Sequence, residues 1–165
     1  MYEDNSELIE NLNPFKNGQS QHLKLVKAKW AYGININELY NKTINPAISD
    51  CEIYFVKTKE LIRKSDFLKV TSQTLFDRNE TSMKRMSEIL ERWKKELFID
   101  PPTIYPCPFD NTRVAFEDGR HRTIVAYHLN ELVIPVAVDN THFYKVKSLL
   151  TSLEMVNLQK KRNNH

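Results

Sequence analysis

The chain has 165 residues, 41% of them hydrophobic, with 24 basic and 21 acidic side chains and a formal charge of +3. That length suits one compact domain around one core and is short for two. The near balance of charge sets aside the strongly basic profile of a dedicated nucleic-acid coat, although it permits contact with nucleic acid.

Cys51 and Cys107 are the only cysteines; they form no CxxC pair, and neither has a histidine at metal-ligand spacing. This pattern disfavours a disulfide framework and a structural zinc site, and a reducing cytosol is the expected compartment. The opening MYEDNSELIENLNPF is acidic, without the basic start and apolar core of a signal peptide, and no run approaches the roughly 18 apolar residues of a membrane span. The expectation is a cytoplasmic protein with no membrane partner.

In chain order, residues 1–50 are polar and asparagine-rich, with helical patterns around Ser6 to Leu12 and Gln19 to Trp30 and a loop signal at Asn45-Pro46. They read as a helical N-terminal extension on a domain spanning 51–158, with 159–165 a basic tail. CEIYFV, Cys51 to Val56, has the β-branched and aromatic content of a strand, and Thr58 to Lys64 follows as a short helix. Asn79-Glu80-Thr81-Ser82 supplies N-cap candidates, after which Met83, Met86, Ile89, Leu90, Trp93 and Leu97 recur at helical spacing opposite a charged face. Pro101-Pro102 is expected to stop this amphipathic helix and to open an extended segment, TIYP. A turn through PCPFDNTR makes TIYP and RVAFED a plausible strand pair. The spacing then predicts a helix over Arg122 to Asn130, a buried strand VIPVAV over 133–138, and a last helix from about Thr141 to Leu158 with Phe143, Val146, Leu149, Leu150, Leu153 and Val156 on one face. The predicted fold class is α/β in the α+β sense, a small mixed sheet flanked by helices.

The segment FEDGRHRTIVAYHLNELVIPVAV, residues 116–138, carries the most chemistry. A helix start leaves backbone N–H groups unpaired and partly positive, and a glycine there lets a bound group approach the backbone closely. Arg120 and Arg122 add planar cationic forks matched to phosphate or carboxylate oxygens, and His121 can donate a hydrogen bond or move a proton near neutral pH. Gly119, Arg120, His121, Arg122 and Thr123 are therefore the candidate ligand-binding residues. Glu117, Asp118 and His121 are the candidate catalytic ones, since a carboxylate beside a phosphate can hold Mg²⁺ or activate water or a hydroxyl. The competing reading makes the same charges structural: Arg120 and Arg122 pair with Glu117, Asp118 or Glu131, and the carboxylates stabilise the helix N-terminus.

The run DGRHRTIVAYHLNELVIPVAV resembles the signature of the ParB/sulfiredoxin superfamily, in which a strand leads into a G-x-x-R or G-x-H-R turn, an alanine-containing helix and an I-P-V strand. Upstream, the amphipathic helix and PPTIYP, which is similar to the family's P-I-x-V strand, stand in the family's order, so the resemblance covers roughly residues 51–140. It implies that Gly119, His121 and Arg122 contact phosphate, with Arg120 at the variable position. Sulfiredoxins carry their catalytic cysteine where Arg120 stands, so thiol chemistry is not implied. In partition proteins that slot is commonly acidic and a helix-turn-helix domain follows, whereas one further helix is expected here. The resemblance implies the nucleotide-binding or nuclease-like core of the superfamily, with Mg²⁺ and ATP or CTP as the cofactors to test.

Other residues rank lower. Asp77, Arg78 and Glu80 precede the amphipathic helix in a region that approaches the nucleotide in resembling proteins. His128 lies seven residues beyond His121, on a similar helical face, without a third metal ligand nearby in sequence. Trp30, Trp93, Phe143 and Tyr144 read as core aromatics, and Cys107, between two prolines, as an inert thiol. Three functions remain open at this point: a domain binding a nucleotide or other phosphorylated ligand, with Mg²⁺-dependent phosphate hydrolysis or transfer; a DNA-binding or nuclease module that adds Lys160, Lys161 and Arg162; and a non-catalytic interaction protein that retains the fold.

Overall fold

The computed structural model describes residues 26–32, 51–65 and 80–156. The helical pattern at Ser6 to Leu12, the Asn45-Pro46 loop, Asp77, Arg78, the side chain of Glu80, and Lys160, Lys161 and Arg162 lie outside the described residues.

Strand β1, Cys51–Lys57, runs into helix α1, Thr58–Lys64. The amphipathic stretch forms α2, Glu80–Lys94, and the proline-led segment forms β2, Thr103–Pro106. Next come β3, Val114–Asp118, α3, Arg120–His128, and β4, Val133–Asp139. A 3₁₀ turn over Asn140–His142 leads into α4, Phe143–Leu149, and the two-residue β5, Glu154–Met155. The strands form one mixed sheet in the order β3-β2-β4-β1-β5, with β2 parallel to β4 and the other pairings antiparallel. The fold class is α+β. Among the described residues, no helix is long and apolar enough to cross a membrane.

Strand β4 holds the centre because it is apolar on both faces: Ile134, Pro135, Val136, Ala137 and Val138 are all buried. Helix α2 contributes Met86, Leu90 and Trp93 to the core, and α3, which packs on α2 and α1, contributes Ile124, Val125 and Ala126. Burial of each large apolar side chain stabilises the fold by about 1.5–3 kcal/mol before the entropy of ordering is subtracted.

Three expected elements differ. The prolines do not end α2. It closes earlier in a left-handed turn at Glu96 (φ 60°), where the Leu97 amide donates to the Arg92 carbonyl and the Glu96 amide to that of Trp93, a Schellman cap. Leu97, expected on the apolar stripe, is consequently half-exposed. The last helix does not reach Leu158: α4 ends at Leu149, and the chain turns through Leu150 and Leu153, both buried, to add β5 beside β1. Turn residues and helix residues satisfied the same apolar spacing. Within α4, Phe143 stacks on Tyr54 at 5.1 Å while Tyr144, expected in the core, is exposed.

Residues 26–32 are extended where the pattern Gln19 to Trp30 predicts helix. The Ala31 amide donates to Ile99 and the Ile99 amide to Lys29, forming a parallel bridge around Trp30. Trp30 is buried with its ring 5.1 Å from that of Trp93, whose indole N–H donates to the Lys29 carbonyl. Glu131 accepts from the Ala28 amide. The core therefore continues across the boundary drawn at residue 50.

Candidate functional site

Strand β3 delivers the acidic pair and α3 begins at once after it. Gly119 occupies the turn with φ 94° and ψ 16°, a left-handed conformation that glycine adopts without steric cost. The space beside its Cα is not open. A β-carbon there would lie 2.5 Å from Cβ and 2.6 Å from Cα of Pro102, and 2.8 Å from Cζ of Arg122. The close approach that this glycine permits is thus made by the chain's own lead-in to β2. Beneath the turn, Thr123 is fully buried, and both its hydroxyl, at 2.9 Å, and its amide, at 3.1 Å, donate to the Gly119 carbonyl.

Arg122 points back into the same junction. Its guanidinium donates to Asp118 at 3.1 Å, to Asp100 at 3.2 Å and to the Pro101 carbonyl at 3.1 Å, with 11% of its side chain exposed. Two carboxylates neutralise it, and the fork joins β3, the start of α3 and the Asp100–Pro102 segment. The ion-pair reading therefore describes Arg122 and Asp118; Arg120 and His121 lie half-buried on the first turn of α3.

Glu117 goes elsewhere. Thr103 pairs with Asp118 and Ile104 with Phe116, so Glu117 is the extra residue of a β-bulge, a device that re-aims a side chain. It has no hydrogen-bond or ion-pair partner among the described residues, and it lines an open cleft of about 320 Å³ with Thr103, Ile104, Tyr105, Asp139 and His142. Strand register explains the company: β2 and β4 are parallel with Ile104 beside Val138, which sets Thr103, Tyr105, Ala137 and Asp139 on one face. Asp139 caps the 3₁₀ turn, accepting from the Thr141 hydroxyl at 2.6 Å and amide at 2.8 Å through one oxygen. Those two bonds, with His142 nearby, hold its carboxyl below the usual range. The rings of Tyr105 and His142 lie 6.5 Å apart.

Thr103, Tyr105, Asp139 and His142 were not singled out by sequence. Asp139 and Thr141 spell a turn signal, but nothing in the order of residues tells that β2 pairs with β4 in this register. His128 ends α3 and is largely buried, which pushes its imidazole pKa down. Among the described residues no three His, Cys, Asp or Glu side chains converge to hold a metal ion. Both cysteines are unbridged. Compared with family models, with curated proteins and with solved structures, the chain matches none.

Proposed function

We propose that the chain is a ParB/sulfiredoxin-like domain that binds a phosphorylated ligand, a nucleotide in the first instance, at the start of α3. Arg120, His121 and the amides of the helix's first turn make the contact. The observation that supports this reading is the packing of the turn: Pro102 lies against Gly119, and Arg122 joins Asp118, Asp100 and Pro101 beside the first turn of a nine-residue helix that carries two further basic side chains. Preorganised amides and cations bind anions with little reorganisation. Arg122 acts as a positioning residue in this scheme, and Thr123 supports the turn from below. Of the two carboxylates beside the turn, Asp118 is engaged by Arg122 and Glu117 lines the neighbouring cleft, so the reading is one of ligand binding.

The test is a titration of ATP and CTP, with and without Mg²⁺, against wild type, Arg120→Ala and His121→Ala. Arg122→Ala is a poor probe, since it also dismantles the junction. Loss of one charge-assisted contact predicts about tenfold weaker binding or more, read beside the denaturation midpoint of each variant. Failure of wild type to bind either nucleotide or inorganic phosphate refutes the reading.

A further inference from the structure

The cleft beside the turn has the wrong charge for a phosphate. Glu117 contributes a carboxylate with no partner among the described residues, and Asp139 contributes a second whose other oxygen is the one engaged by Thr141. Thr103, 2% exposed, adds a buried hydroxyl that makes no hydrogen bond, and strand register sets its side chain on the cleft face together with Tyr105 and Asp139. A buried hydroxyl without a partner costs about 1–3 kcal/mol, a penalty that a bound donor removes. Tyr105 and His142 supply ring surface. The groups that lack partners here are chiefly acceptors. No third metal-ligating side chain converges on them.

We propose that this cleft binds an organic cation, a primary ammonium or guanidinium group, with Glu117 and Asp139 accepting its N–H donors, Thr103 taking one further N–H at the floor and Tyr105 offering its ring face. A guanidinium presents several donors in a plane and stacks on aromatic rings, which matches two carboxylates beside a tyrosine. The whole chain carries +3, so nothing in its overall field draws cations in; the attraction is local to this cleft. This site is separate from the anion contact at Arg120 and His121 and does not depend on it.

Agmatine, which carries a guanidinium and an ammonium on one short chain, is the probe, with 1,4-butanediol as the neutral control and MgCl₂ as the inorganic one. Ligand-observed NMR and thermal shift on the full chain should show agmatine binding, no binding of the diol, and no displacement by millimolar Mg²⁺. Glu117→Gln, at an exposed position, should weaken agmatine about tenfold or more, as expected for loss of a charged hydrogen bond. Thr103→Val keeps the side-chain shape, removes the unmatched hydroxyl and should weaken agmatine several-fold while leaving the melting temperature equal or higher. A merely structural Thr103 would move stability and not binding. Because agmatine has no phosphate, its result stands whether or not ATP or CTP binds at α3. Equal affinity of wild type and Glu117→Gln, no binding by folded wild type, or displacement by Mg²⁺ overturns the proposal.

Discussion

Replacing Gly119 with alanine perturbs two features of the turn at once. At φ 94° a residue with a β-carbon meets the steric penalty of left-handed backbone, about 1–2 kcal/mol. The new methyl would also sit 2.5 Å from Cβ of Pro102 and 2.6 Å from its Cα, so backbone must move, and overpacking of this kind costs about 1–3 kcal/mol. The sum, about 2–5 kcal/mol, is a large part of the about 5–15 kcal/mol that holds a domain together. With a urea slope of about 1.5 kcal/mol per molar, a 3 kcal/mol loss lowers the midpoint by about 2 M. Gly119→Asn separates the two causes, because asparagine accepts left-handed backbone more readily yet brings the same β-carbon. Equal damage in both variants assigns the effect to Pro102, and partial rescue by asparagine assigns it to φ. A Gly119→Ala midpoint within about 0.3 M of wild type would refute both the strain and the close approach.

Arg122→Lys should lower stability by about 2 kcal/mol in chemical denaturation, since a single ammonium cannot serve two carboxylates and a carbonyl together. Asp100→Asn should cost more than Asp118→Asn, whose side chain is 46% exposed and better screened; a lysine variant as stable as wild type contradicts the clamp. For His128, burial places the folded pKa below its ordinary 6.5, so the unfolded chain binds the extra proton first. Its stabilising contribution is complete above pH 6.5 and is lost as pH falls from there to the folded value. Midpoints measured from pH 7.5 to 5 should therefore fall more steeply in wild type than in His128→Gln, and parallel profiles would count against the buried neutral imidazole.

Local patterns carried most of the secondary structure. CEIYFV and VIPVAV are strands because β-branched residues fit a pleated, buried surface, and Met86, Leu90 and Trp93 mark α2 because their spacing makes one apolar face. The misreadings share one cause. Leu150 and Leu153 are buried in a turn, and Trp30 is buried in the extended segment 26–32, so among the described residues burial by itself places apolar side chains at spacings that a helix would also satisfy. Leu97 shows the reverse, an apolar residue in register with α2 but beyond the Glu96 cap.

Sequence by itself determined that a strand, a glycine turn and a helix follow one another at Glu117 to Thr123, because each is a property of neighbouring residues: β-propensity, tolerance of positive φ and helical spacing. Tertiary structure decided what those residues touch. Pro102 against Gly119, Asp100 on Arg122, and Glu117 facing Asp139, His142 and Thr103 all depend on β2 lying between β3 and β4. The β2–β4 pairing joins residues more than 30 positions apart through backbone hydrogen bonds that do not depend on side-chain identity, the Pro102 carbonyl itself accepting from the Ala137 amide, and so it leaves no local mark in the order of side chains.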